Sequence, residues 1–163
     1  MYYAKDIETL VGKIIICSDG DAIVGLWMEG QKYFASTLKE APVYMERPEL
    51  AAAADWLERY FRGDRPAINE LKLNPEGSEF RKRVWDCLCR IPYGGTTTYG
   101  AIAKELGIRS GQAVGGAVSH NPISIIIPCH RVLGADGSLT GYAGGLEKKR
   151  ALLELEGAIA AED

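Results

Sequence analysis

The first third of the chain switches between two periodicities. Gly12 to Cys17 and Ala22 to Met28 are apolar runs rich in β-branched residues, with the turn pair Asp19-Gly20 between them, so the pattern predicts two tightly connected strands. A third strand is expected near Gln31 to Ser36. Pro48 then opens a helix in which Leu50, Ala53, Ala54, Leu57, Tyr60 and Phe61 keep helical spacing, and Gly63 ends it. The polar stretch Asn69 to Gly77, with Pro75, is the expected linker, dividing the chain into domains of residues 1–73 and 74–163.

Beyond that linker the pattern is helical. Ser78 is a suitable N-cap for a helix carrying Phe80, Val84, Trp85 and Leu88, which Pro92 and Gly94 stop. A second helix is predicted over Tyr99 to Leu106 and a third over Gln112 to Ser119, joined by a turn beginning at Gly107. That is the outline of a helix-turn-helix, and a hairpin over Val132 to Tyr142 is its expected wing. The third helix is unusually rich in glycine, which weakens a helix by roughly 0.5–1 kcal/mol per residue relative to alanine. Either another helix packs very closely there, or the smooth face meets a different molecule.

Composition narrows the class. The chain has 163 residues and is 47% hydrophobic, enough for a real core, and no apolar run reaches the roughly 18 residues of a membrane span. The four cysteines, at 17, 87, 89 and 129, lack zinc or redox spacing, so all are expected to be reduced, with no metal and a cytoplasmic setting, nuclear in a eukaryote. Net charge is −3, but residues 78–150 hold ten basic against five acidic residues, a surplus on which a polyanion could dock.

The chemistry concentrates at Ile127-Pro128-Cys129-His130-Arg131-Val132. A buried cysteine is normally inert, because only the thiolate is a good nucleophile. An imidazole oriented by a third group changes that by taking the thiol proton. Backbone-shaping residues flank this thiol on both sides: Pro128 before it, and Gly141-Tyr142-Ala143-Gly144-Gly145 after it.

These pieces together resemble the O6-alkylguanine-DNA alkyltransferases. The resemblance is carried in order by Arg83-Val84-Trp85, Ile91-Pro92-Tyr93-Gly94, Thr97-Thr98-Tyr99-Gly100, Ala113-Val114-Gly115-Gly116-Ala117, Asn121-Pro122, Ile127 to Val132, Gly141 to Gly145 and Leu152 to Gly157. It covers residues 78–157 almost continuously, while residues 1–73 match only in length and layout. It implies an α+β chain: a small ribonuclease-H-like N-terminal domain, then a mainly helical winged helix-turn-helix domain. The implied activity is single-turnover transfer of the O6-alkyl group of a flipped guanine in double-stranded DNA to Cys129. No cofactor is needed, since the group comes from the DNA and stays on the sulfur, and a monomer is expected with no membrane partner.

Within that resemblance His130 matches the base, acting through a water, and Glu156 the carboxylate that orients it. Tyr99 matches the residue assisting the leaving guanine, and Asn121 the hinge between the recognition helix and an active-site strand. Tyr142 matches the aromatic wall of the base pocket, Ala143 the backbone donor to O6, and Cys129 and Val132 the backbone acceptors for the guanine amine. Ser124, where some members carry proline, matches the pocket wall. Thr98, Tyr99, Gln112, Ala113 and Gly115 match the DNA-contacting positions.

One departure is pronounced. Gln112 stands where the family commonly has an arginine that fills the gap left by the flipped base, and glutamine lacks its charge and stacking plane. Arg109 lies three residues upstream in the turn and is expected to point elsewhere. Weaker base flipping with intact thiol chemistry is the expected result, and a lesion-binding protein with impaired repair is the alternative. A pure binding module without a nucleophile is disfavoured by Cys129. A Cys-His-Glu hydrolase would need an acyl pocket and an oxyanion hole, for which only the glycines offer a hint.

Overall fold

The computed structural model describes residues 1–161. The chain divides into two compact units, one of Met1–Glu76 with Pro122–Ile126, the other of Gly77–Asn121 with the chain from Ile127 onward. The short segment 122–126, expected with the second domain, therefore belongs to the first unit.

In the first unit β1 (Tyr3–Thr9), β2 (Gly12–Ser18) and β3 (Ile23–Met28) form an antiparallel meander, and β4 (Val43–Tyr44) pairs parallel to the start of β1. The Asp19 carboxylate accepts from the amides of Asp21 and Ala22, which fixes the turn between β2 and β3. Helix α1 (Pro48–Arg62) begins at proline and ends at Gly63 in the left-handed conformation. Its buried stripe is Leu50, Ala53, Trp56, Leu57 and Tyr60, and each large apolar side chain so buried contributes roughly 2 kcal/mol. Ala4, Cys17, Val24 and Trp27 form a further buried cluster.

Two expectations fail within residues 1–76 of this unit. Gln31 to Ser36 is a series of turns, not a strand: Tyr33 and Ala35 have φ of 61° and 55°, incompatible with an extended chain. Its apolar residues serve another purpose: Ala35 packs on the Trp27 cluster and the Phe34 ring lies 5.9 Å from that of Trp27. The expected linker is also partly structured. Ile68–Glu70 is a 3-10 helix, and Ile23 pairs with the chain at Lys72 and Asn74 through bonds of 2.9 and 2.8 Å.

Segment 122–126 is held in the first unit by β3 and Gln31. The Leu26 amide donates to Pro122, the Ser124 amide donates to Leu26, and Ser124 Oγ donates to Gln31 Oε1 at 3.2 Å. Ile126 N donates back to Ser124 O at 2.8 Å around Ile125, whose φ of 71° is a strained value for a β-branched residue. Residues 123–126 thus make one bridge to β3 at Ile123 and then a tight turn, not the active-site strand that the resemblance implied after Asn121.

The second unit contains α2 (Glu79–Cys89), β5 (Thr97–Thr98), α3 (Tyr99–Leu106), α4 (Gly111–Ser119), β6 (Val132–Leu133) and α5 (Leu146–Leu155). Side chains of Ser78, Thr98 and Ser110 cap α2, α3 and α4. Val84, Trp85 and Leu88 are buried, and Trp85 Nε1 donates to the Ala117 carbonyl of α4 at 2.9 Å. The expected wing hairpin does not form. β6 pairs in parallel with β5 instead, and residues 134–138 close a tight turn from Gly134 N to Ser138 O.

Candidate functional site

The turn that carries Cys129 is built by local backbone bonds. Pro128 has φ −81° and ψ 65°, so Cys129 N reaches back to Ile127 O at 2.8 Å. Cys129–Arg131 is one turn of 3-10 helix, closed by the Val132 amide on the Cys129 carbonyl. Asn121 Nδ2 donates to the same Ile127 carbonyl at 2.8 Å, tying the end of α4 to the start of this turn.

Cys129 is 4% exposed, and burial pushes its thiol above the ordinary value, against which the Asn121 side chain and the Lys149 charge act. A resting thiol therefore needs a base. The adjacent His130 is wholly buried, and its Nε2 lies 2.6 Å from Glu156 Oε2. Burial would raise the Glu156 carboxyl, but bonding to His130 and Arg131 holds it at about 2, so it is an acceptor only. The proton must sit on Nε2. Burial keeps the imidazole below its usual pKa, so it is neutral and Nδ1 carries the lone pair, itself buried without a hydrogen-bond partner.

Arg131 completes this cluster, a residue that sequence reasoning had counted only as surface charge. Its Nε and Nη2 clamp both oxygens of Glu156 at 2.7 and 3.1 Å, and Nη1 donates to Ile91 O at 2.6 Å. Lys149, counted the same way, is also buried and donates to the carbonyls of Val132 and Thr140. The basic surplus of the second unit is correspondingly smaller at its surface. Helical spacing held the missed signal: Lys149, Leu152, Leu153 and Glu156 recur at three and four residues and are all buried.

The other expected residues divide by location. Tyr99 Oη donates to Thr140 O at 3.1 Å, and a Cβ at Gly141 would lie 3.1 Å from that hydroxyl, so glycine permits the approach. The Tyr142 hydroxyl is buried with no partner, and Ala143 is half-buried beside it in the chain. Val132 is buried. Ser124 is in the first unit, its hydroxyl committed to Gln31.

On α4, Val114, Ala117 and Val118 face inward, while Gln112, Ala113 and Gly116 are exposed and Gly115 is half-buried. A Cβ at Gly111 or Gly116 would meet nothing within 4 Å, and one at Gly115 would make only ordinary contact with the Tyr99 ring at 3.9 Å. Close packing within this chain does not explain those glycines.

Cys17, Cys87, Cys89 and Cys129 are free cysteines, and burial pushes Cys17 up to about 12 and Cys89 to about 11. Among the described residues no cluster of three His, Cys, Asp or Glu could hold a metal ion, and no helix is long and apolar enough to cross a membrane.

The sequence profile of the 6-O-methylguanine DNA methyltransferase DNA-binding domain matches residues 79–158, and that of the same proteins' ribonuclease-like domain matches residues 1–75. The chain belongs to this methyltransferase family. The methylated-DNA–protein-cysteine methyltransferase of Methanosarcina acetivorans is 45% identical over 160 residues, 96% of this chain and 99% of that protein. That of Haemophilus influenzae is 44% identical, over 90% of this chain and 81% of its own length. A crystal structure of Mycobacterium tuberculosis OGT in complex with DNA superposes with a TM-score of 0.84 at 40% identity, covering 96% of this chain and 92% of that one. For this methyltransferase family member the α+β class is thus shared with solved relatives, and the ribonuclease-like match agrees with the sheet and helix of the first unit.

Proposed function

We infer that this protein repairs DNA by accepting the alkyl group of O6-alkylguanine on Cys129, once per molecule. The observation that carries the reading is the state of His130. With Nε2–H fixed on an ionised Glu156, the adjacent Nδ1 is a buried, unpartnered lone pair next in sequence to a buried thiol. In the reaction the Sγ proton passes to Nδ1 through a water, the sulfur attacks the alkyl carbon, and the C–O6 bond breaks with its electron pair leaving on the guanine. Glu156 stabilises the imidazolium so formed, and Arg131 holds Glu156 in place.

The remaining roles follow the same reading. The Tyr99 hydroxyl assists the departing guanine, Tyr142 stacks on it, and backbone groups at Cys129, Val132 and Ala143 bond its edge. Asn121 keeps the nucleophile's turn in register with α4. Thr98, Tyr99, Gln112, Ala113 and Gly115 meet the DNA, where the open glycines of α4 allow close backbone approach. Gln112 is the filler of the vacated stack and a weaker one than arginine. The hydroxyl of Ser124 contributes nothing to the base pocket, being bonded to Gln31. As a working division, residues 1–73 support and residues 74–163 bind DNA and react.

Intact mass after incubation with duplex DNA containing O6-methylguanine tests the reading. A gain of one methyl group, mapped to Cys129, is expected. An unchanged mass with retained lesion binding would favour the binding-protein alternative.

A further inference from the structure

Two buried polar side chains of the first unit have no part in this scheme. Gln31 and Ser124 are 6% and 2% exposed, lie 93 positions apart in the chain, and are joined by the bond from Ser124 Oγ to Gln31 Oε1. The same oxygen accepts from Met28 N at 3.0 Å, while Gln31 N donates back to Met28 O at 3.0 Å. These reciprocal bonds fix the carboxamide to the last residue of β3. Both lone pairs of its oxygen are then in use, one on the strand and one on Ser124.

Ser124 is where a strained turn begins. Ile126 N closes it on Ser124 O around Ile125, whose φ of 71° persists only if its surroundings hold it there. A second tight turn follows directly, from Cys129 N to Ile127 O, with Pro128 restricting the torsion between them. Consecutive closed turns leave few torsions to absorb a shift, so a displacement of Ser124 passes along the chain to Cys129. Asn121 holds one side of this span through Ile127 O, and Gln31 holds the other through Ser124.

We propose that Gln31 is a positioning residue for alkyl transfer: by holding Ser124 it keeps the Ile125 turn in its left-handed form and so sets where the Cys129 turn starts. This rests on the alkyl-transfer reading. In-line attack of sulfur on the alkyl carbon tolerates little misplacement, and a thiol on a loosened turn is presented at the wrong angle.

The test compares the full-length protein with Gln31→Leu, Ser124→Ala and the double variant, each checked for folding by circular dichroism. Ser124→Ala removes only the hydroxyl and keeps the bond from Met28 to Gln31, so it carries the test where Gln31→Leu fails to fold. The first readout is single-turnover methyl uptake from duplex DNA containing O6-methylguanine. Each single variant should lose about tenfold in the rate at saturating DNA, with the half-saturating concentration changed by less than about twofold, and the double variant should be no slower than either. The second readout is iodoacetamide labelling followed by peptide mass, with the buried Cys87 as internal standard. Labelling of Cys129 should rise severalfold over that of Cys87, opposite in direction to the fall in transfer.

Folded variants with the wild-type saturating rate overturn the proposal. So does a double variant whose loss is the product of the single losses, because the two side chains then act independently. Slowed variants in which Cys87 labelling rises together with that of Cys129 also overturn it, since they mark a glutamine that only stabilises the fold. A wild-type Cys129 that reacts with iodoacetamide but takes up no methyl group overturns the alkyl-transfer reading instead, and the ratio of Cys129 to Cys87 labelling in the variants still decides whether Gln31 holds the turn.

Discussion

Lys72 and Asp21 pair on the surface of the first unit with side chains 68% and 69% exposed, whereas Arg131 and Glu156 pair in the second with exposures of 7% and 0%. The exposed pair gives up little hydration and gains little in return. Burying the other pair costs desolvation that the mutual attraction only partly offsets, and removing one partner strands a charge, at about 3–5 kcal/mol. The first unit gathers stability from an apolar core and leaves most of its charges in water, the Arg47–Glu49 pair being its most enclosed at 31% and 12% exposure. Around Cys129 the chain instead buries Arg131, Lys149, His130 and Glu156, an arrangement poor for stability and well suited to holding protons at fixed atoms.

The sharpest way to break this contrast is at the thiols themselves. Cys129→Ser should abolish methyl uptake while leaving DNA binding nearly unchanged, whereas Cys17→Ala in the first unit should keep the wild-type rate and lose only stability. Transfer near the normal rate by the serine variant, read by intact mass, would remove Cys129 from the chemistry.

Next in size is the relay. His130→Ala and Glu156→Gln should slow transfer from O6-benzylguanine by about a hundredfold, the usual scale for a lost general base. Because the buried thiol is raised, the rate of either variant should climb again with pH as hydroxide takes over the base's work. A flat, wild-type-like profile in both would mean the thiol is activated by another route.

Stability against acid separates the two regions without any substrate. Glu156 is held at about 2 in the folded protein against an ordinary 4.5, so its contribution is present above pH 4.5 and is lost as pH falls toward 2. The shift corresponds to about 3 kcal/mol. Denaturant unfolding across that window should show the loss in wild type and a flatter dependence in Glu156→Gln. Lys72→Ala, by contrast, should leave the melting midpoint where it was.

The smallest effect concerns the DNA face. Gln112→Arg should leave transfer from the free base unaltered but speed repair of duplex DNA severalfold and steepen the salt dependence of binding. Equal duplex rates for both proteins at two salt concentrations would show glutamine to be a sufficient filler.

Much of the fold was legible because it is encoded locally. The runs that make β2 and β3, the caps Ser78 and Thr98, the stop at Gly63 and the spacing of α1 depend on neighbours in sequence, and each element stands within a residue or two of its expected place. Cys129, His130 and Glu156 could be picked out as candidates because ordered motifs frame them.

Other features depend on contacts between residues distant in sequence. Gln31 to Ser36 has strand composition but is bent into turns that cover Trp27, and segment 122–126 is held by Leu26 and Gln31, nearly a hundred residues earlier. Arg131 and Lys149 read as surface charge, since nothing local distinguishes a solvated cation from a buried one. The amino-acid sequence determined the helices and the caps, and it singled out Cys129 as the candidate nucleophile. The tertiary structure alone decided which charges left water, because desolvation and pairing depend on every group that surrounds a charge and not on the residues beside it in the chain.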